Sequence, residues 1–187
     1  DENDRLAVVR SLPGVGKDAV RSVCSEISSL KRNITTRDEI SDPEIQRVFE
    51  LYEEYLRRQD LFDLDDLIQK SVSLLLSEVE VLAEYRRLFQ WILVDEYQDI
   101  NLAQYRLIRL LAPVGHSNLF AIGDPNQAIY GFRGADVGFI NQFLSDYPTA
   151  KLFNLSHSYR CSDTILQASH QVLAGLSPTP ALRGLEP

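Results

Sequence analysis

Apolar residues recur at helical spacing in the first half of the chain. The segment Ser41-Asp42-Pro43-Glu44 predicts a helix start, because it offers a capping side chain, a proline suited to the first turn and an acid near the positive end of the helix dipole. The apolar face that follows comprises Ile45, Val48, Phe49, Tyr52 and Leu56. Further helices are predicted over Asp63–Leu76 and Val79–Leu88.

After residue 90, short apolar runs alternate with helical patterns. The predicted strands are Trp91–Val94, Asn118–Ile122 and Lys151–Leu155. The predicted helices are Leu102–Leu111, Val137–Leu144 and Ser162–Leu173. The Trp91–Val94 run is so apolar that we expect a buried strand. This alternation predicts an α/β fold in which parallel strands, joined by right-handed crossovers, follow a helical region.

Composition narrows the class of protein only moderately. The chain has 187 residues, 44% of them hydrophobic, which is enough for a core, and a net charge of −8. That charge disfavours a protein that coats nucleic acid through phosphate contacts. It allows a motor that binds single-stranded DNA by stacking on its bases. The sequence has no bilayer-length apolar run and no signal-peptide pattern, so we expect a cytoplasmic protein with no membrane partner. Because Cys24 and Cys161 are far apart, we expect both to be reduced thiols. Because Met is absent and Asp1 comes first, we expect a piece of a longer protein.

Polar residues follow two of the predicted strands directly. Asp95 and Glu96 come after Trp91–Val94, and Gly123-Asp124-Pro125-Asn126-Gln127 comes after Asn118–Ile122. A structural role for two adjacent acids in apolar surroundings would require specific partners. A strand that ends in Asp-Glu is also where nucleotide-hydrolysing α/β proteins hold Mg²⁺ and orient water. The alternative is a solvated strand end.

Four segments resemble motifs of the UvrD/Rep-like superfamily 1 DNA helicases, in the family's order and spacing. Leu93-Val94-Asp95-Glu96-Tyr97-Gln98-Asp99 resembles motif II, and Gly123–Gln127 continuing to Tyr130-Gly131-Phe132-Arg133-Gly134-Ala135 resembles motif III. Phe62-Asp63-Leu64-Asp65-Asp66-Leu67-Ile68 is similar to the "DFDDL" segment, and Leu155-Ser156-His157-Ser158-Tyr159-Arg160-Cys161 is similar to motif IV. The resemblance covers roughly residues 30–174.

The resemblance implies ATP and Mg²⁺ as cofactors. Asp95 would bind Mg²⁺, mostly through water, and Glu96 would be the base or orienter of the attacking water. Gln127 would sense the γ-phosphate, for which the alternative is an amide that stabilises the turn. Tyr159 would stack on adenine, and Arg160 would reach the γ-phosphate.

The same resemblance implies contact with single-stranded and duplex DNA. Tyr130 and Phe132 would stack on bases from an extended loop, and the alternative for both is a place in the core. Arg133 would either meet a DNA phosphate or brace the loop. Gln98 and Asp99 would tie motif II to neighbouring motifs, with helix capping as the alternative for Asp99.

The chain departs from the family pattern at three positions. Phe132 stands where Trp is more common, which reduces the stacking area but keeps the mode of contact. In motif IV, Ser158 replaces Asn and Cys161 replaces Ser. Because both replacements in motif IV keep small side chains, we expect its geometry to hold, and its local hydrogen bonding stays open.

Ser11-Leu12-Pro13-Gly14-Val15-Gly16-Lys17-Asp18 looks like a phosphate-binding P-loop, with Leu6–Val9 as its strand, but we reject that interpretation. Ser11 replaces the first glycine, and Asp18 replaces the hydroxyl that would hold Mg²⁺. A carboxylate there would repel phosphate. Two alternatives stay open: a DNA-binding helix-hairpin-helix turn, or a plain glycine turn between two helices.

The resemblance implies a half-domain of RecA-like (P-loop NTPase) α/β type, with a parallel sheet, preceded by a helical subdomain. We place the helical subdomain at residues 1–62, the motor part at 63–176 and a flexible tail at 177–187. The parent would be an ATP-dependent helicase moving 3′ to 5′, in DNA repair or replication, whose remaining domains complete the motor. Alone, this piece would be inactive and would self-associate through its open sheet edge. The alternatives are the motor part of a helicase-nuclease subunit and a degenerate relative that only binds DNA.

Overall fold

The computed structural model describes residues 1–115 and 118–173, and the backbone of residues 183–185. The chain divides into two compact units, Asp1–Asp146 and Tyr147–Pro187. The helices of the first unit are α1 (Glu2–Ser11), α2 (Val20–Arg32), α3 (Pro43–Arg58), α4 (Asp66–Ser77), α5 (Val79–Leu88), α6 (Leu102–Leu111), α7 (Gly138–Asn141) and α8 (Phe143–Asp146). Its strands are β1 (Trp91–Val94) and β2 (Asn118–Ala121). The second unit contains β3 (His157–Ser162), α9 (Asp163–Leu173) and β4 (Arg183–Leu185).

Helix α3 begins where its sequence predicts. Asp42 caps it, because Oδ1 of this side chain accepts hydrogen bonds from the backbone N–H groups of Glu44, at 2.8 Å, and Ile45, at 3.3 Å. The buried residues of α3 are Val48, Phe49, Tyr52 and Leu56. The predicted apolar face is therefore confirmed, and the bounds predicted for α5, α6 and β1 are also those observed.

Helix α4 begins at Asp66, three residues later than predicted. A turn closed by two reciprocal hydrogen bonds precedes it: Asp66 N donates to Asp63 Oδ1 at 2.8 Å, and Asp63 N donates to Asp66 Oδ2 at 3.1 Å. Asp63 therefore precedes the helix and stabilises its start.

The helical core lies between α1, α2 and α3. Its buried members are Val9, Leu12, Val20, Val23, Cys24, Ile27, Leu30, Ile40, Val48, Phe49, Tyr52 and Leu56. The turn between α1 and α2 passes through Gly14, whose φ of +91° is in the region that favours glycine. Because Leu6–Val9 lies within α1, no strand precedes the glycine turn, in agreement with the rejection of a P-loop. DNA binding by this turn stays a prediction.

Strands β1 and β2 pair in parallel, in a register that sets Leu93 beside Phe120 and Val94 beside Ala121. Val94 and Ala121 pack on a second core, whose buried members are Tyr97, Ile100 and Phe139. The opposite face of the pair is exposed: Trp91 keeps 71% and Leu93 74% of the residue surface accessible. The prediction of a buried β1 strand is therefore wrong for one of its two faces.

Two predicted elements after β2 differ from the structure. The helix predicted over Val137–Leu144 is split into α7 and α8, and the break at Gln142 leaves Phe139 and Phe143 both packed in the second core. The strand predicted at Lys151–Leu155 is wrong, because the apolar side chains of this segment are exposed and its backbone pairs with no described strand.

In the second unit, strand β3 forms over motif IV itself and pairs in parallel with β4. Within the described residues, the parallel strands therefore form two separate two-stranded sheets. Most of the predicted tail at 177–187 lies outside the described residues, and residues 183–185 of it form β4.

Both cysteines are free thiols. Among the described helices, none combines the length and the apolar character needed to cross a membrane. The predicted boundaries after residues 62 and 176 stay predictions.

Candidate functional site

The carboxyl ends of β1 and β2 stay paired beyond the two strands. Ile122 N donates to Val94 O at 2.9 Å, and Tyr97 N donates to Ile122 O at 2.8 Å. These hydrogen bonds place the segment after β1, with Asp95 and Glu96, beside the segment after β2. The two polar segments singled out in the sequence therefore form one continuous site.

Glu96 adopts a backbone conformation that residues other than glycine rarely adopt, with φ 50° and ψ 46°. Its N–H donates to Asp95 Oδ1 at 2.9 Å, so the two acids are fixed relative to each other. Both side chains are exposed. Left-handed backbone outside glycine costs free energy and is found where the surroundings hold it, often at functional sites.

Gln98 joins the two strand ends. This side chain is only 2% exposed. Its Nε2 donates to Glu96 Oε2 at 2.7 Å and to Asp99 Oδ2 at 3.3 Å, while its Oε1 accepts from Asp124 N at 3.0 Å. A buried amide satisfied on both ends holds its orientation firmly, so Gln98 fixes the Glu96 carboxylate relative to Asp124.

The prediction that Gln98 ties motif II to a neighbouring motif is confirmed. Asp99 does not cap the helix that follows, because Asn101 caps α6 by accepting from Gln104 N at 3.0 Å. The capping alternative for Asp99 is therefore wrong.

Gly123 leaves the space that Gln98 requires. A Cβ atom at this position would lie 2.7 Å from Gln98 Oε1 and 2.7 Å from Ile140 Cδ1. Both distances are well below van der Waals contact. A glycine at the end of β2 is therefore a condition for the contact between Gln98 and Glu96.

Gln127 ends a short turn that begins after Asp124. Asp124 Oδ1 accepts from Asn126 N at 2.9 Å, and Gln127 Nε2 donates to Asp124 Oδ2 at 2.9 Å. The turn-stabilising contact considered as the alternative for Gln127 is thus present. Because the Gln127 side chain is exposed at the same edge as Glu96, a phosphate contact also remains a prediction.

The aromatic loop, defined as Tyr130–Arg133, lies at the surface of the first unit. Phe132 is 78% exposed, and Tyr130 is also exposed, so neither ring lies in the core. The loop is a tight helical turn over Gly131–Arg133 rather than the extended segment predicted. The two rings are nevertheless neighbours, with centroids 6.1 Å apart, and the Arg133 guanidinium lies 5.2 Å from the Tyr130 ring and 5.5 Å from the Phe132 ring. These contacts fit the alternative in which Arg133 braces the loop, and a contact with a DNA phosphate stays a prediction.

Tyr159 and Arg160 lie in β3 of the second unit, and both are exposed. Ser158 Oγ accepts from Arg160 N at 3.3 Å and from Cys161 N at 3.1 Å. The serine that replaces Asn thus bonds the backbone of the two residues that follow Tyr159.

Sequence reasoning missed a buried ionic cluster that joins α2, α3 and the start of α4. Lys31 is fully buried, and Lys31 Nζ lies 2.5 Å from Glu53 Oε1 and 2.9 Å from both Asp63 Oδ2 and Asp66 Oδ1. Tyr52 Oη also donates to Asp63 Oδ2 at 2.9 Å. The available signal was a lysine on the apolar face of α2, beside Ile27 and Leu30.

The pKa values in this cluster follow from its geometry. Burial by itself lowers the pKa of Lys31, but the carboxylates of Glu53, Asp63 and Asp66 outweigh it and raise that pKa. Burial by itself raises the pKa of Asp63, but Lys31 and Arg5 outweigh it and lower that pKa. Asp63 of the "DFDDL" segment is therefore held ionised as part of the fold.

A second branch of the cluster leads to the aromatic loop. Asp65 Oδ2 accepts from Arg5 Nη2 at 2.8 Å, and Asp65 Oδ1 accepts from Arg32 Nε at 3.0 Å. Arg32 Nη1 then donates to the backbone carbonyl of Arg133 at 2.8 Å. The helical region and the aromatic loop are thus linked by one side chain.

In the part of the chain that the structure describes, no three His, Cys, Asp or Glu side chains are arranged to hold a metal ion. Asp95 offers a hard oxygen donor at the strand end. Mg²⁺ commonly takes one or two protein carboxylates and completes its shell with water and phosphate oxygens. The donor chemistry at Asp95 fits that pattern.

Comparison with known proteins gives a consistent result. Residues 16–148 match the UvrD/REP helicase N-terminal domain. The ATP-dependent DNA helicase PcrA of Staphylococcus aureus is 42% identical over 160 residues, covering 82% of this chain and 22% of that protein. PcrA of Bacillus subtilis is 40% identical over 188 residues, covering 92% of this chain and 25% of that protein. The chain thus spans about a quarter of the length of the relatives that it matches.

Proposed function

Since this chain belongs to the UvrD/REP helicase N-terminal domain family, we propose that it is part of an ATP-dependent DNA helicase motor. The observation that carries the proposal is the pairing of the two strand ends, which sets Glu96 and Asp95 in solvent beside Asp124. The motor couples ATP hydrolysis to movement along single-stranded DNA, 3′ to 5′, and to unwinding in repair or replication in the cytoplasm.

Glu96 is the proposed base that orients and activates the attacking water. Its carboxylate is fixed by Gln98, whose amide donates at 2.7 Å, and its backbone is held in a left-handed conformation. A base held in one orientation needs little rearrangement before proton transfer. Gln98 is thus a positioning residue for Glu96.

Asp95 is the proposed Mg²⁺ partner. Its Oδ1 accepts the Glu96 N–H, which fixes the carboxylate at the strand end. Bound Mg²⁺ would supply charge neutralisation for the phosphates. Gln127, Tyr159 and Arg160 are the proposed contacts to ATP, and the remaining phosphate contacts are assigned to other parts of the natural protein, which complete the RecA-like motor.

The aromatic loop is the proposed contact to single-stranded DNA. Two exposed rings and a guanidinium lie together on one turn. Stacking on aromatic side chains accepts any base and contributes about 1–3 kcal/mol per base. A contact of this kind suits a motor that moves along DNA without regard to sequence.

The test is the ATPase rate of the natural protein that carries this chain, with and without single-stranded DNA. We expect DNA to stimulate hydrolysis, and Glu96→Gln to reduce the stimulated rate by about 100- to 10,000-fold, the usual contribution of general base catalysis. Glu84→Gln is the matched control, because it removes the same charge from an exposed position within α5. This control is expected to retain the wild-type rate.

Two outcomes would contradict the proposal. A Glu96→Gln variant as active as the Glu84→Gln control would remove Glu96 from the catalytic role. A natural protein that binds DNA without hydrolysing ATP would instead be a degenerate relative that only binds DNA.

A further inference from the structure

We propose that Arg32 is a positioning residue that fixes the aromatic loop to the helical region and thereby sets the affinity for single-stranded DNA. The inference rests on the proposed function, in which this loop contacts DNA. It assigns to a residue of α2, far from the loop in sequence, a part in DNA recognition.

The Arg32 guanidinium makes two hydrogen bonds in different directions. Its Nε donates to Asp65 Oδ1 at 3.0 Å, and its Nη1 donates to the Arg133 carbonyl at 2.8 Å. The side chain is partly buried at its bond to Asp65, whereas its bond to the Arg133 carbonyl lies at the surface. A planar guanidinium can hold two acceptors in fixed directions, which a lysine ammonium on a flexible stem does not do equally well.

The first of these bonds is anchored in the fold. Asp65 is largely buried and also accepts from Arg5 Nη2 at 2.8 Å, and Arg5 lies 3.2 Å from Asp63 Oδ2. Asp63 in turn contacts the fully buried Lys31. Arg32 therefore extends a rigid ionic network outwards to the surface.

The second bond meets the loop where its rings converge. Arg133 follows Phe132 directly, and its guanidinium lies over both rings. The next residue, Gly134, has a φ of +82°, and a Cβ atom there would lie 3.6 Å from Arg32 Cδ. The loop backbone thus runs close along the Arg32 side chain. Without the contact between Arg32 and the loop, the Tyr130 and Phe132 rings would have to become ordered only when DNA binds. That ordering would lower the affinity for DNA.

The experiment measures binding of a fluorescent oligothymidylate by the natural protein, and the DNA concentration that gives half-maximal ATPase stimulation. We expect Arg32→Ala to raise both the dissociation constant and the half-maximal concentration about tenfold, while saturating DNA restores the maximal rate. A tenfold loss corresponds to about 1.4 kcal/mol, within the range of one stacked base. Arg58→Ala is the matched control, because Arg58 is exposed and its partner among the described residues is Glu54, one turn earlier in α3.

A second variant and a double-mutant cycle test positioning against general loss of structure. Arg32→Lys keeps the positive charge beside Asp65 but loses the planar guanidinium that holds two acceptors at once. An intermediate loss of DNA affinity is therefore expected. In a Phe132→Ala background, Arg32→Ala should cost clearly less than in the wild type, because the ring that it positions is gone. Additive losses, or an Arg32→Ala variant with wild-type affinity, would overturn the proposal.

The outcome also separates this inference from the proposed function. If Phe132→Ala itself leaves DNA affinity unchanged, the proposed role of the aromatic loop fails. If Phe132→Ala weakens binding and both Arg32 variants do not, only the role of Arg32 fails.

Discussion

The acids of the helical region and the acids at the strand ends have similar sequence patterns and opposite surroundings. Asp63, Asp65 and Asp66 are largely or fully buried, and each is paired with at least one cationic side chain. Asp95 and Glu96 are exposed, and their described partners are a backbone N–H and the Gln98 amide. Both groups lie beside apolar residues in the sequence.

The difference shows what decides whether a cluster of acids is structural or chemical. Buried carboxylates must be neutralised by partners, and such partners make them unavailable to a ligand. Exposed carboxylates fixed by hydrogen bonds, without a cation, keep their charge for a metal ion or a water molecule. We therefore expect mutations in the first group to change stability and mutations in the second group to change activity.

The largest effect on stability is expected for Lys31→Ala. This change leaves Glu53, Asp63 and Asp66 without their shared cation, and breaking a buried pair in this way costs about 3–5 kcal/mol. The measurement is denaturant unfolding followed by circular dichroism. The control is Lys70→Ala, because Lys70 pairs with Asp66 at 3.2 Å from a half-exposed position and should contribute less than about 1 kcal/mol. Equal losses in the two variants would contradict the contrast drawn above.

The next largest effect is expected for Gly123→Ala, which tests the strand ends as a packed structure. The new methyl group would overlap Gln98 Oε1 and Ile140 Cδ1, and overpacking of this kind costs about 1–3 kcal/mol. Because Gln98 would move, the ATPase rate proposed for the natural protein should fall as well. Gly16→Ala is the control: no atom lies within 4 Å of its added Cβ, so its stability should change by no more than about 0.5 kcal/mol. A Gly123→Ala variant with wild-type stability and rate would show that Gln98 is not confined.

A smaller effect is expected from acid. The pKa of Asp63 is lowered in the folded protein, below its ordinary value of 3.8, so the folded state favours the ionised form. This contribution to stability is therefore present above about pH 4 and is lost as the pH falls through the folded pKa. The measurement is the free energy of unfolding between pH 7 and pH 2.5, with Asp63→Asn as the comparison. The variant should be less stable at neutral pH and should depend less on pH in the acid range; parallel curves would contradict the assignment.

The smallest effect on stability is expected for Asp95→Asn. The amide oxygen can still accept the Glu96 N–H, and the side chain is exposed, so the free energy of unfolding should change by no more than about 0.5 kcal/mol. In the natural protein, the same substitution should remove most of the proposed Mg²⁺-dependent ATPase activity, because the metal would lose its carboxylate. A loss of stability as large as that of Lys31→Ala would place Asp95 among the structural acids.

Capping residues and apolar spacing predicted the helices and strands well where the tertiary packing favours the same bounds. The caps and apolar spacing of α3, and the bounds of α5, α6 and β1, follow from the sequence. The exposed face of β1 did not follow, because a strand pattern cannot show which elements are present to cover it. Lys151–Leu155 has the composition of a strand, yet β3 forms six residues later, because pairing with β4 decides where a strand forms.

The site was predictable to the extent that its residues are close in sequence. Asp95, Glu96 and Gln98 lie in one motif, so the tie between the two strand ends could be anticipated. Arg32 contacts a residue about 100 positions away, and no local pattern indicates that contact. Long-range hydrogen bonds of this kind become visible only when the packing of α2 against the later residues is known.

The exposed face of β1 gives the chain a built-in optical reporter. Trp91 is the single tryptophan of the sequence, and 71% of its surface is accessible. Its emission should therefore lie towards the red in the isolated chain and should shift towards the blue wherever that face becomes covered. A shift that grows with protein concentration would come from self-association, whereas a concentration-independent shift in the longer natural protein would come from its own remaining residues. The Trp91 emission thus distinguishes, without any label, whether a second copy of the chain or the natural protein's own residues cover this face of the sheet.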